Sequence, residues 1–486
     1  MLVLLLAGFV VLGGGVMFAA DGSAPKVQST ETSLGKIQNA HENDLVVSPD
    51  ARRVAFVSKT RYASTVMLDG AAGNSYDFVE ALTFSPDSQH IAYWARSGKQ
   101  WCIVMGKKEG TKYEGRVEKS LKISPDSKHV AYGAWRGKKC FLVAGGTEGK
   151  EYDDMAYVTF SPDSKRIAYA AKSAGKWCVV VDGAEGKGYD DIVVIRFSPD
   201  SQRVAYVAKS GGQPFVVLDG TEGKKYDKAF SLDFSPDSKR LAYLAGRGEK
   251  EFMVVDNAEG KECDSVSAFH FSPDSKRCSY QAKRRDKQMV VLDGADGKEY
   301  DEVYDSGFSG DSARFGFVAG RGGKSFVVLD GAEGKAYDAA AGLIFSPDSK
   351  RVAFDAKRDG KWMIVVDGVE SGGYYGIREG VFFSPDSKRV GIVFADDDKK
   401  YFTFVDGVAG NKYDDIWGFC FSPDSKHYAY EAQRANQRAL VVDGVAGKKY
   451  DSFLYTYGSF FDGPNKVHRL ALRGDEIFLA EMEATE

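Results

Sequence analysis

This chain has no surplus of charge of either sign. Its 65 Lys plus Arg stand against 69 Asp plus Glu, a formal net charge of −4. A domain that grips phosphates needs a basic footprint, so nucleic-acid binding is set aside. The six cysteines form no Cys-x-x-Cys pair and no Cys/His spacing suited to zinc. They read as small buried apolar residues. A Cys140–Cys178 bridge stays open at this stage, because sequence does not supply the geometry. No Gly-x-Ser-x-Gly elbow occurs, which argues against a serine hydrolase of the α/β type. Histidines are few and scattered. His90, His129 and His427 share one turn slot, His41 and His468 lie near the ends, and His270 is alone in its column. No triad or histidine metal site follows from them. The run Asp396-Asp397-Asp398 lacks the spaced oxygen ligands and terminal Glu of a calcium loop, so it reads as a solvated turn. Neither a cofactor nor a metal is expected. Outside the N-terminus no stretch keeps a helical period, and the body reads as all-β.

One long apolar run is present, MLVLLLAGFVVLGGGVMFAA at residues 1–20. It is expected to be a signal peptide or a membrane anchor, giving an extracytoplasmic protein, periplasmic or secreted. No Lys or Arg precedes the run, which weakens the signal-peptide reading.

The rest is repetition. Phe160-Ser161-Pro162-Asp163-Ser164-Lys165-Arg166-Ile167-Ala168-Tyr169 and Phe234-Ser235-Pro236-Asp237-Ser238-Lys239-Arg240-Leu241-Ala242-Tyr243 are two of twelve copies. The serine recurs at 48, 85, 124, 161, 198, 235, 272, 309, 346, 384 and 422, and an eroded twelfth copy starts near Phe461. Such a period means units that cannot bury their apolar surface alone. In residues 193–227, strands at 193–197, 203–208 and 215–218 and a short fourth near 224–227 are separated by Ser-Pro-Asp-Ser, Gly-Gly and Asp-Gly turns. The inner strands are almost continuously apolar, so both faces are covered. Four-stranded sheets repeated radially and covered on both faces make a β-propeller. A small residue at Ala55, Ala92, Ala131, Ala168, Ala205, Ala242, Ser279, Gly316, Ala353, Gly391 and Ala429 marks where a larger side chain from the next blade must fit.

The Ser-Pro-Asp-Ser-Lys-Arg-x-Ala-Tyr core resembles the TolB-type, WD-like propeller repeat of bacterial extracytoplasmic proteins, over residues 44–486. That resemblance implies propellers that bind other proteins or accompany a hydrolase. The segment Asp-Gly-x-Glu-Gly-Lys-x-Tyr-Asp, as at Asp330 to Asp338, is not part of the usual pattern.

Twelve blades suit two tandem six-bladed rings or one twelve-bladed ring. The sixth copy alone has Asn257 after its Asp and Cys263 in place of the recurring Tyr, which favours two rings exchanging strands there. The expected divisions are a linker at 21–34, a first ring at 35–257 and a second at 258–486. In the two-ring arrangement residues 35–39 complete the sixth blade.

Function is expected where the copies disagree. The column two residues before each Ser reads Val46, Thr83, Lys122, Thr159, Arg196, Asp233, His270, Gly307, Ile344, Phe382, Cys420 and Ser459. Lys122, Arg196 and Asp233 are the candidate ligand-binding residues, lining a channel or its mouth. Arg284-Arg285-Asp286-Lys287 reads as a surface charge cluster. Tyr374-Tyr375 with Trp417 and Arg378 reads as either an aromatic rim or packing of altered blades. The expectation is an exported, non-enzymatic scaffold for a protein partner. The alternatives are a propeller enzyme on a glycan or small molecule, a hydrolase or lyase using channel carboxylates, and a structural envelope protein.

Overall fold

The computed structural model describes residues 26–485 apart from 38, 41–43 and 455–460. The apolar run 1–20, His41 and Ser459 lie outside the described residues. No helix among the described residues is long and apolar enough to cross a membrane.

Every copy folds as an antiparallel sheet, and there are twelve sheets. The fifth blade shows the plan. Strands Asp191–Phe197, Val204–Ser210, Gln213–Leu218 and Thr221–Glu222 pair in sequence order. The second and third are buried on both faces, as their unbroken apolar sequences require. In the third blade the first strand is split into Gly115–Arg116 and Lys122–Ile123, both pairing with Val130–Arg136.

The Ser-Pro-Asp-Ser turn is a hydrogen-bonding device that also reaches the next blade. Ser198 is fully buried. Its Oγ accepts from Arg203 N at 2.9 Å and donates to Asp200 Oδ1 at 2.6 Å. The same Asp200 Oδ1 accepts from Gln202 N, while Asp200 N donates to Ser238 Oγ of the sixth blade at 2.8 Å. Arg203 pairs with Asp219 at 2.9 Å and donates to the Lys239 carbonyl of that next blade. Ser198→Ala would leave a buried amide without its acceptor. It is expected to cost about 1–3 kcal/mol, read as a lower denaturation midpoint at unchanged m-value.

The small-residue column does what its size predicts. Each alanine in it is wholly buried. A Cβ added at Gly391 would lie 2.3 Å from Phe419 of the eleventh blade, and one at Gly316 would lie 2.8 Å from Leu343 of the ninth. Those sites leave no room for a methyl without movement of the neighbouring blade.

The edge-strand exchange expected for two rings is not what the chain does. Lys26–Lys36 pairs with Glu476–Thr485, from Lys26 opposite Thr485 to Ser33 opposite Phe478, and so completes the twelfth blade. Residues 26–34, expected as linker, belong to this strand. The sixth copy keeps its own Ala258–Glu259 strand. Asn257 explains itself locally. It sits at φ 67°, where other copies have glycine, and asparagine tolerates that left-handed backbone. Cys263 makes the same bridge to the third strand that tyrosine makes elsewhere. Across the supposed junction, Leu244 and Met253 of blade six pack on Val266 and Tyr280 of blade seven. Val54 and Phe56 of blade one pack on Leu470 and Leu472 of blade twelve. Packing between neighbours thus continues across residue 257 and joins blade twelve to blade one.

Candidate functional site

The residues the copies share are occupied in holding blades together. In the atypical segment, Tyr152 donates to Glu185 of the next blade at 2.7 Å, and Lys150 pairs with the same carboxylate at 2.8 Å. Tyr226 and Lys224 treat Glu259 alike, at 3.1 and 2.6 Å, as Tyr337 and Lys335 treat Glu370, both at 2.8 Å. The closing aspartate is used as well: Asp153 takes Lys139 at 2.6 Å and the Ala174 amide of the following blade at 2.9 Å. This clamp is why the segment recurs. Grooves of 680 and 520 Å³ at the fifth and eighth seams are lined by the clamp residues themselves.

First strands form the inner wall, because neighbouring first strands touch directly. Asp305 Oδ2 of blade eight accepts from Gly342 N of blade nine at 2.7 Å. Glu379 of blade ten accepts from the Gly418 and Phe419 amides of blade eleven at 2.6 and 2.9 Å. On this wall Lys122, Arg196, Asp233 and His270 are all exposed. None of the four makes an ion pair with a described residue, and the nearest partner of Arg196 is its neighbour's carbonyl, at 3.4 Å. Arg196 and Asp233 lie on adjacent blades and feel each other. Burial raises the Asp233 carboxyl above its usual range, and the Arg196 guanidinium opposes this. Lys122 stands apart, with Thr159 of blade four between it and Arg196.

Sequence reasoning missed two aromatics here. Most first strands carry a bulge near the middle; Tyr157 lies in one and Phe230 borders another, 50 % and 40 % exposed. They flank Arg196 on blades four and six. The column four and five residues before the serine would have disclosed them. The first strands of blades nine to eleven differ: Ile344, Phe382 and Cys420 are half-buried, and Gly342, Gly380 and Gly418 occupy their bulges.

Other candidates resolve into packing or paired charge. Asp396 is held by Lys412 at 2.6 Å and by the Lys400 amide, and Lys361 pairs with Asp397. Among the described residues no group of three or more His, Cys, Asp or Glu is placed to hold a metal ion. Arg284 forks onto Asp296 at 2.6 and 3.1 Å, and Lys287 pairs with Asp301. Tyr374 is turned inward and stacks on Phe394, with centroids 3.8 Å apart, whereas Tyr375 is half-exposed. Arg378 lies over Tyr401 and Trp417 and is fixed by Asp415 at 2.8 Å. Cys140 and Cys178 are both free thiols. Burial pushes Cys140 up to about 12, so it is an inert packing residue.

A second set of charges lies in the second strands, two residues after the recurring small residue. Most copies there are apolar or small, as at Trp94, Val207, Leu244 and Val318, but the ninth and eleventh carry Asp355 and Glu431. Glu431 pairs with Arg469 of blade twelve at 2.9 Å, both almost wholly buried. An acid in a largely apolar column is a signal the sequence does contain.

No family model matches the sequence, and no curated protein does. Solved structures do. A crystal structure of the eukaryotic initiation factor is 13 % identical with TM-score 0.33, covering 69 % of this chain and 97 % of that one. TolB from Acinetobacter baumannii is 16 % identical with TM-score 0.25, covering 44 % of this chain and 63 % of that one. The β-propeller domain of the Trilobed protease from Pyrococcus furiosus is 15 % identical with TM-score 0.26, covering 56 % and 96 %. All three scores fall below 0.5, so the propeller assignment stands on this chain's own twelve sheets and their closure.

Proposed function

We propose that this propeller is an exported, non-enzymatic scaffold that holds a protein partner at the inner wall of blades three to seven. One observation carries the reading. The charges shared between copies are committed to clamps, while Lys122, Arg196 and Asp233 are exposed and make no ion pair with a described residue. Tyr157 and Phe230 supply the apolar contact that charge alone lacks. Exposed aromatics beside a guanidinium are the composition of protein-recognition anchors. Extracytoplasmic location rests on the run at residues 1–20 and on the resemblance to TolB-type repeats.

The test is a chain carrying Lys122→Ala, Arg196→Ala and Asp233→Ala together, used as bait beside the unaltered protein in extracts of its native cells. Unfolding stability is expected to change by no more than about 0.5 kcal/mol per site, as for surface positions. Proteins captured by the parent chain and lost by the variant support the reading. An identical set of captured proteins removes it.

A further inference from the structure

Beyond the turn hydrogen bonds, which the seam between blades nine and ten keeps, regular seams of the ring are fastened at two further places. Outside, a Tyr/Lys pair grips a glutamate of the next blade; inside, an apolar side chain of the second strand enters the next blade, as Val207 and Leu244 do. The seam between blades nine and ten lacks both. Its rim reads Ser371-Gly372-Gly373-Tyr374 against Val408-Ala409, so neither the lysine nor the glutamate exists. Tyr374 has left the rim to stack on Phe394. The outer seam is instead a 470 Å³ groove lined by Ile364, Val366, Val369, Ile392 and Phe404. Inside, the apolar side chain is replaced by Asp355.

Asp355 is poorly accommodated. Its Oδ1 is buried and has no hydrogen-bond partner. A Cβ on Gly342 would sit 3.2 Å from its Oδ2, and one on Gly380 3.6 Å, so two glycines border the carboxyl. Among the described residues no cation answers it. Arg378 on the facing strand of blade ten is taken by Asp415, and Glu379 by the amides of blade eleven. Lys357, on its own strand, lies over Trp362, and the residue opposite in the third strand is Ile364. The charge that acts on it is Asp305, which grips the Gly342 amide.

We infer that the seam between blades nine and ten is a pH-sensitive opening line of the ring, closed when Asp355 carries its proton and loosened when that carboxyl ionises. Burial first, and the Asp305 charge second, push the Asp355 carboxyl up to about 7. In an opened seam water reaches the group and its affinity for the proton falls to the ordinary range, near 4. The closed form then holds the extra proton between those limits. Opening is favoured as pH rises from about 4 to about 7 and is constant above. Below about 4 the group is neutral in both forms and contributes nothing. The apolar cluster of Ala353, Ile364, Val381 and Ile392 keeps the seam associated throughout, so a local opening is expected and not dissociation.

Hydrogen exchange by mass spectrometry on the full chain tests this, with rates corrected for intrinsic pH dependence. Opening of residues 352–358 and 376–383 is expected to increase by at most about tenfold per pH unit between about pH 4 and 7, the limit for one linked proton. Asp355→Asn is expected to flatten that profile, and Asp305→Asn to move its upper end to lower pH. Residues 204–210 and 228–234, at the fifth seam, are expected to show no such profile in any variant. A wild-type profile retained in Asp355→Asn, or shared by the fifth seam, overturns the inference. If Asp355→Asn does not fold, Asp305→Asn decides alone, and an unmoved profile overturns it.

Discussion

A chain lacking Lys26–Lys36 is expected to unfold at markedly lower temperature than the parent and to elute as oligomers. Among the described residues that strand is the only partner of the outer edge of Glu476–Thr485. Without it, a ten-residue strand carrying Ile477, Phe478, Ala480, Met482 and Ala484 would present a bare edge, the standard template for pairing with another chain. The same cut removes Glu31. Its carboxylate accepts from Arg473 at 2.9 Å and from buried Tyr450 at 2.8 Å, and pairs with Lys448. The Arg473 hydrogen bond, with Tyr450 and Lys448 behind it, pulls the Glu31 carboxyl down to about 2. Stabilisation from a lowered carboxylate is fully present above its unfolded range and is lost as pH falls toward 2. Glu31→Gln should therefore differ from the parent at neutral pH and converge with it near pH 2. For the full deletion, lost ladder hydrogen bonds at about 1 kcal/mol each and an orphaned tyrosine hydroxyl give a loss on the order of 5 kcal/mol. That is comparable with the whole stability of many domains. A peptide of residues 26–36 added in trans should restore the monomer. A truncated chain that stays monomeric with an unchanged melting temperature would show that the ring does not depend on this closure.

Blade structure was legible because each copy repeats the same local instructions: turn residues at fixed offsets, apolar strands between them, and a small residue where the next blade intrudes. Closure was legible only in kind. That the ends must pair followed from the missing fourth strand of the last copy, but which blade they complete did not. The signal taken for a boundary, Asn257 and Cys263, has local causes, a left-handed turn position and a buried bridge. Neither bears on which blades are neighbours. The inner-wall charges were visible as one polar column, yet Tyr157 and Phe230 were not, because a bulge shifts the register and brings an unexamined column to the surface. Asp355 and Glu431 were overlooked for a related reason. They replace an apolar side chain that crosses the seam, and a strand that is apolar on both sides hides a single acid unless the copies are aligned residue by residue.

Replacing Arg469 by methionine is expected to cost about 3–5 kcal/mol near pH 8, the usual penalty for breaking a buried ion pair by removing one partner. Glu431 is only 8 % exposed, and Arg469 of the next blade lies 2.9 Å from its carboxylate. Burial raises the Glu431 carboxyl, with Arg469 the first of the charges opposing the rise and nearby Glu379 adding to it. Without the guanidinium that rise grows, and the sign of the pH effect follows. A carboxyl raised in the folded state loses stability as pH climbs from its unfolded range toward its folded value, and is level beyond. Arg469→Met should therefore stand closer to the parent at pH 4.5 than at pH 8. Methionine keeps most of the volume, so the difference reports charge more than packing. Adding Glu431→Leu to the same chain should recover much of the loss, since apolar residues commonly replace a buried pair at little cost. Thermal unfolding of the three chains at pH 4.5 and 8 checks both statements. An equal loss at the two pH values, or a double variant no more stable than Arg469→Met, would mean that Arg469 acts there through contacts other than its pairing with Glu431.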